Sequence, residues 1–138
     1  CNAIDDRHID HAKGSDLVSH ACFLSGLSKI VTQDAEGKDQ TAWRPKQVYH
    51  YIQWKDIVPD FVVDVSPFIE QKMEAIQAYK SQFFDSNSKA PQTPISSKNF
   101  MDSVRYRAQN LGRLSGVEAA EGFTAERVPV IQSFTNLF

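Results

Sequence analysis

The sequence has little of several features that would point to a particular class of protein. Two cysteines in 138 residues, Cys1 and Cys22, are too few for a disulfide framework or a zinc ribbon. A formal net charge of −2 and a pI near 6.1 give no electrostatic reason to expect nucleic acid binding. No apolar run has transmembrane length, and no signal-peptide pattern, internal repeat or low-complexity tract is present. We therefore expect a soluble, cytoplasmic protein that binds neither nucleic acid nor membrane.

Side chains that can do chemistry are densest near the start of the chain, at Asp5–His11. Six of these seven residues are polar or ionisable. His8 and His11 are three residues apart, so a helix or tight turn places both imidazoles on one side. Neutral imidazole binds metals, and Asp10 or a backbone carbonyl could fix its tautomer. Solvated or capping histidines give the same pattern, and a zinc site needs three or four ligands, so the pair alone leaves both interpretations open.

A helix is predicted directly after this motif, from about residue 11 to about residue 25. Asp10 is a plausible N-cap, and Gly26 is a reasonable stop. Apolar residues at helical spacing predict a buried face, on which Cys22 is a buried thiol. The residues of that face are Leu17, Val18, Ala21, Cys22 and Leu24.

The remainder of the chain alternates strand and helix patterns, which is typical of an α/β protein. Strands are predicted at 47–54 and 61–65, an edge strand at 128–131, and helices at 67–83 and 98–114. Ser66 is predicted to cap the helix at 67–83. Loops are predicted at 32–41 and 85–97, and turns at 56–59 and 121–123. The segment 85–97 is either a functional lid or a solvated connector.

One further histidine, His50, lies in the first predicted strand. It shares a face with apolar residues, and the alternate residues Tyr49 and Tyr51 point the other way. A hydrogen-bonded imidazole in the core or at its rim is therefore favoured over a catalytic one.

The Asp6–His11 block resembles the second signature, His-x-Asp-His, of the LmbE/PIG-L zinc-dependent deacetylases. The most similar branch removes acetyl from N-acetylglucosaminyl-malate during bacillithiol synthesis. The resemblance implies an α/β, Rossmann-like fold, of which residues 1–138 are the C-terminal portion of a single domain. The opening on Cys1, with no strand pattern before the motif, points to the same missing upstream part. Further similar blocks follow in the family's order at 49–51, 59–66, 78–83, 93–94 and 120–123.

The same resemblance implies a zinc cofactor, which activates water for attack on the amide carbonyl. His11 matches a zinc ligand. His8 matches the histidine that stabilises the oxyanion or protonates the leaving amine, and Asp10 would orient a histidine. The other two zinc ligands and the general base belong to an N-terminal signature that this sequence does not contain. Residues 1–138 alone are therefore predicted to be inactive.

Two arginines are candidates for binding an anionic part of the substrate. Arg7 is the better one and Arg44 the weaker, and an ordinary surface role fits both equally. Ile9 replaces the motif's common proline, and Phe100 lies about where some relatives have a tyrosine near the reacting carbonyl. The expected partners are a small amino-sugar conjugate and further copies of the chain in a homo-oligomer.

Two other functions remain open on the sequence. One is a metal-dependent hydrolase of another class, such as a phosphoesterase, because His/Asp clusters serve those enzymes too. A two-metal phosphoesterase would need further ligands near His11, and the sequence has no second such cluster. The other is a non-catalytic fragment that packs with a missing N-terminal half.

Overall fold

The computed structural model describes residues 1–136, which divide into two compact units. The first unit comprises residues 1–61 with the chain from 123 onward, and the second comprises residues 62–122. Within the described residues there are three α-helices and three strands, which confirms a mixed α/β class. The strands form one sheet in the order β1-β3-β2. The elements are α1 Ile9–Leu24, β1 Tyr49–Tyr51, β2 Phe61–Asp64, α2 Ile69–Gln77, α3 Lys98–Ser115 and β3 Ala120–Ala125.

In the first unit, the start of the chain runs alongside β1. The Cys1 nitrogen donates to the Tyr49 carbonyl at 2.5 Å, and the Tyr51 N–H donates to the Cys1 carbonyl at 3.1 Å. Cys1 thus bonds to the two residues on either side of His50, which is the hydrogen-bond pattern of two parallel strands. Ala3, two residues further on, is fully buried. The motif at Asp5–His11 therefore lies between this extended first segment and α1. The chain after α1 leads to β1, which runs parallel to the first segment.

Helix α1 presents a different face to the unit than the sequence predicts. The predicted apolar face is wrong, since Leu17 is 70 % exposed and Leu24 is 44 % exposed. The residues turned inward instead are smaller or polar and recur at spacings of four, four and three. Small side chains bring the helix close to β1, where Ser15 meets His50. This inward row consists of His11, Ser15, Ser19 and Cys22, of which only Ser15 is fully buried.

Strand β1 is shorter than predicted, because its regular pairing is limited to three residues. Tyr49 lies opposite Ala125 and Tyr51 lies opposite Phe123 in the antiparallel pairing with β3. Further along, the Trp54 N–H donates to a side chain, not to a neighbouring strand.

The predicted turn at 121–123 is wrong, because these residues lie inside β3. Gly122 is buried there, and its place in the middle strand of the sheet overrides its turn preference. The predicted edge strand at 128–131 is also wrong, as Val128 and Val130 are each 86 % exposed and no strand forms.

In the second unit, α2 packs against α3. Ile69, Ala108 and Ala119 form the core of this unit, with Val65 beside them. The helix predicted at 67–83 is shorter, since a 3₁₀ turn occupies Ser66–Phe68 and α2 ends at Gln77. Ser66 does not cap α2, because its hydroxyl donates to Asp64 and accepts the Ala119 N–H.

The other predictions for regular structure agree with the fold. The strand at Phe61 and helix α3 begin at the predicted residues. The segments 32–41 and 85–97 contain no helix and none of the three strands of the sheet. Across residues 1–136, none of the helices has both the length and the hydropathy required to span a bilayer.

Candidate functional site

The motif folds into the cap of α1, and His8 is the N-cap residue. Its own N–H donates to Asp6 Oδ1 at 3.2 Å, and its Nδ1 accepts the N–H of Asp10 at 3.3 Å. The predicted N-cap, Asp10, lies instead in the first turn of the helix. An imidazole nitrogen can satisfy a free N–H of the first turn in the same way as a carboxylate oxygen. The helix therefore starts two residues earlier than the sequence predicts.

Capping selects one tautomer of His8. Because Nδ1 accepts a hydrogen bond, the proton of the neutral ring resides on Nε2. The His8 side chain is 51 % exposed, so Nε2 can reach a bound molecule. The Asp10 carboxylate approaches the same ring, with Oδ2 3.7 Å from Nδ1, and is itself largely exposed. Asp10 and His8 are therefore neighbours, but Nδ1 has no proton for this carboxylate to accept while it caps the helix.

Asp6 is the most enclosed side chain of the motif. Only 2 % of it is exposed, and its Oδ2 accepts the Trp54 N–H at 3.2 Å. Burial alone would raise the pKa of Asp6, but the N–H groups of His8 and Trp54, together with the adjacent His11, lower that pKa below its usual value. Asp6 is therefore a buried carboxylate held in its ionised form.

The His11 imidazole lies directly against this carboxylate. Its Nδ1 is buried and is 3.3 Å from Asp6 Oδ1, at an orientation that falls short of a regular hydrogen bond. The ring centroids of His11 and His8 are 5.2 Å apart, which confirms that the pair shares one side of the helix start. Metal-binding histidines commonly turn one ring nitrogen to a carboxylate and bind the metal with the other. His11, supported by Asp6 and about one-third exposed, fits that arrangement with Nε2 as the ligand atom.

Arg7 directly precedes the cap residue His8 in sequence. Its guanidinium carbon lies 4.9 Å from the centroid of the Trp54 ring, within the range of a cation–π contact. The side chain stays exposed, and so its donors are open to an anion. Next to it, Lys55 Nζ pairs with Asp5 Oδ1 at 2.6 Å. The structure thus places Arg7 beside Trp54, the residue whose N–H binds Asp6.

Arg44 is not part of this group. Its Nη2 donates to the Phe23 carbonyl at 2.8 Å, and its guanidinium lies 4.4 Å from the Phe23 ring centroid. These contacts are at the carboxyl end of α1, on the order of 20 Å along the helix from His8. The structure therefore does not bring Arg44 to the histidine pair, and its role in binding an anionic part of the substrate stays a prediction.

His50 is a buried, hydrogen-bonded imidazole, as the sequence favoured. Its Nδ1 lies 2.8 Å from Ser15 Oγ and 2.9 Å from the Asn2 carbonyl oxygen. Its Nε2 lies 3.1 Å from Glu126 Oε1. The Cys1 sulfur is also within 3.1 Å of Nδ1. These contacts tie α1, β1 and the chain after β3 together.

Sequence reasoning missed the parts played by Asp6, Trp54 and Lys55. Asp6 belongs to the motif, but its enclosure depends on Trp54, which is 48 residues away in sequence. Among residues 1–136, no three histidine, cysteine, aspartate or glutamate side chains gather as a metal-binding group.

No protein-family profile matches the chain. Among solved structures, it resembles the crystal structure of the conserved protein TT1542 from Thermus thermophilus, with a TM-score of 0.75 and 24 % sequence identity. The alignment covers 97 % of this chain and 53 % of that one, so this chain spans about half the length of TT1542. At this identity the likeness establishes a shared fold.

Proposed function

We propose that this chain is the C-terminal portion of a Rossmann-like, zinc-dependent hydrolase of the LmbE/PIG-L type. The reaction is removal of an N-acetyl group from a glucosamine conjugate, with N-acetylglucosaminyl-malate of bacillithiol biosynthesis as the substrate, in the cytoplasm. The resemblance of Asp6–His11 and of the blocks that follow it motivates the proposal. The observation that carries it is the contact between the enclosed Asp6 carboxylate and His11, whose atoms Oδ1 and Nδ1 are 3.3 Å apart.

A histidine that binds zinc needs a neighbouring group that fixes its ring, and Asp6 is that neighbour for His11. An ionised carboxylate beside Nδ1 fixes the ring and leaves Nε2 free to bind the metal. Zinc, when bound, polarises the amide carbonyl and activates water. In this arrangement Asp6 is the supporting carboxylate of His11, a part that the family pattern alone did not assign.

His8 can stabilise the oxyanion as a neutral ring, and it can protonate the leaving amine only as an imidazolium, in which Nδ1 also carries a proton. Hydrolysis breaks the amide C–N bond, joins a water oxygen to the carbonyl carbon and requires a proton on the departing nitrogen. The neutral His8 ring carries its proton on Nε2, the nitrogen that is not engaged by the helix cap. A donor of this kind stabilises developing negative charge on the carbonyl oxygen. Asp10, with Oδ2 3.7 Å from His8 Nδ1, strengthens the positive charge that the ring can carry.

In this proposal Arg7 binds a carboxylate of the substrate. Its contact with Trp54 holds the guanidinium without occupying its in-plane donors. A malate group offers carboxylates that match the planar fork of arginine in two parallel hydrogen bonds.

The complete site requires groups that this sequence does not supply. By the resemblance, two zinc ligands and the general base come from a signature that contains His-x-x-Asp, and this sequence has no His-x-x-Asp. The apolar side chains that α1 exposes, such as Ile9 at 69 % and Leu17 at 70 %, suit a helix that packs against further chain.

The test uses the intact protein and measures bound zinc by mass spectrometry together with acetate release. His11→Ala should lose zinc and activity. His8→Ala should keep zinc and slow turnover by roughly 10²- to 10⁴-fold, the range for a lost acid or base. His20→Ala is the matched control, because His20 is on the same helix, is 71 % exposed and should change neither readout. Normal zinc content and activity in His11→Ala would overturn the proposal.

A further inference from the structure

A cleft near the carboxyl end of α1 has a charge pattern that the proposed reaction does not use. It has a volume of about 170 Å³ and lies within the first unit. Since a water molecule occupies about 30 Å³, the cleft has room for a phosphate-sized group with a few waters. Its walls carry three cationic side chains, Arg44, Lys46 and Arg127, and one carboxylate, Glu126.

The single carboxylate is already engaged. Glu126 Oε1 lies 3.1 Å from Nε2 of the buried His50. Glu126 is the one carboxylate among the lining residues, so the cleft offers no second carboxylate to Arg44, Lys46 or Arg127. Lys46 and Arg127 form no ion pair within residues 1–136. The cleft therefore carries a net positive charge that its own carboxylate does not balance.

Arg44, one of these three cations, is held in a fixed position. Its Nη2 donates to the Phe23 carbonyl, and its guanidinium stacks on the Phe23 ring. Gly26 makes this possible, because a Cβ there would approach the Arg44 Cβ to 2.8 Å. The carbonyl end of a helix repels anions, and a cation bonded to one of its carbonyls offsets that repulsion. A guanidinium fixed before the ligand arrives binds with a smaller loss of side-chain entropy.

We infer that this cleft is a binding site for an oxyanion of the phosphate class, separate from the histidine pair. Arginine and lysine together bind such groups, since the planar fork gives directional hydrogen bonds and the ammonium group adds a point charge. The shared chemistry fits both free inorganic phosphate and the phosphate of a small phosphorylated metabolite. The site lies on the order of 20 Å along α1 from His8, so it does not depend on the proposed deacetylase reaction.

Calorimetric titration of the 138-residue chain with inorganic phosphate tests the inference, with sodium chloride at equal ionic strength as the blank. The double variant Lys46→Gln/Arg127→Gln should weaken the phosphate dissociation constant at least about tenfold, since each removed charge loses a charge-assisted hydrogen bond. Lys38→Gln/Arg113→Gln removes the same net charge outside the cleft and should leave the constant unchanged. No saturable binding, or an equal loss in both double variants, would overturn the inference.

A second arm identifies the source of the phosphate group. Titration with glucose 6-phosphate under the same conditions should be tighter than with inorganic phosphate if the natural ligand is a phosphorylated small molecule, and weaker if it is the free anion. Either order supports the site, because both probes must fill it.

A third measurement uses the unmodified chain, so it tests the site even if the substitutions above disturb folding. Cys22 lines the cleft, and Cys1 is exposed outside it. Phosphate at saturation should slow alkylation of Cys22, measured by peptide mass spectrometry, and leave Cys1 unchanged in the same molecule. Equal rates at Cys22 with and without phosphate would contradict the assignment.

Discussion

At the scale of single residues, Asp6 combines burial with ionisation. Its carboxylate receives the N–H groups of His8 and Trp54 and lies against His11. Because its pKa is lowered in the folded state, ionised Asp6 stabilises the fold fully above its unfolded pKa of about 3.9. That contribution is lost as the pH falls through the lower, folded pKa.

This predicts a specific change in acid unfolding. Asp6→Asn should lower the free energy of unfolding at pH 7 by about 2 kcal/mol, since a charged acceptor of two N–H groups is lost. It should also flatten the fall in stability below about pH 4. Urea unfolding at a series of pH values measures both effects. Asp10→Asn, at a largely exposed carboxylate, is the control and should keep the wild-type pH profile. An unchanged acid profile in Asp6→Asn would mean that the pKa of Asp6 does not fall on folding.

Arg7 gives a second prediction at this scale. In the intact protein, Arg7→Lys keeps the charge but loses the bidentate fork, so kcat/KM for N-acetylglucosaminyl-malate should fall about tenfold. Plain N-acetylglucosamine has no carboxylate and should be affected little. Arg113→Lys, in the second unit, is the matched control. An equal loss on both substrates would assign Arg7 a structural role.

At the scale of secondary structure, local signals predicted elements where one chain segment decides the outcome. Ser97 accepts the Phe100 N–H and Gly116 adopts φ +80° as the C-cap, so both ends of α3 are encoded locally. The predictions of secondary structure failed where contacts between residues far apart in sequence determine the outcome. Gly122 is a strand residue because β3 lies between β1 and β2, and sequence spacing does not show that position.

The same distinction applies to the site. The pairing of His8 with His11 follows from their spacing and is observed. The enclosure of Asp6 depends on Trp54, and the inward row of α1 depends on His50 meeting Ser15. Each of these contacts joins residues at least 35 apart, and no local pattern specifies them.

The close approach of α3 to the segment before β3 yields a prediction about stability. A Cβ at Gly112 would lie 2.7 Å from both the N and Cα atoms of Ala119, which are backbone and cannot turn away. Gly112→Ala should therefore cost about 2 kcal/mol, although alanine favours a helix by about 1 kcal/mol. Gly14→Ala is the matched control in α1, where the nearest atom is the movable end of the Asn2 side chain. Thermal unfolding should show a loss for Gly112→Ala only, and equal midpoints for both variants would contradict this packing.

At the scale of the whole chain, 97 % of this sequence aligns with 53 % of TT1542. A catalytic zinc normally has three protein ligands, and the resemblance assigns one of them, His11, to this sequence. Expressed alone, the chain should therefore bind zinc at well below one equivalent. It should not release acetate from N-acetylglucosaminyl-malate. Metal analysis and an acetate assay on purified residues 1–138 measure this. One equivalent of zinc together with sustained turnover would show that the other ligands are within these residues.

The capping bond of His8 couples two demands on one ring. The nitrogen that accepts the Asp10 N–H must stay unprotonated for α1 to keep its first turn in order. The neutral ring already holds a proton on Nε2, so a second proton that His8 takes up during a reaction cycle goes to Nδ1, where it would break this bond and loosen the helix that positions His11. Asparagine at position 8 would keep the cap and abolish proton transfer, which separates helix integrity from chemistry at a single position.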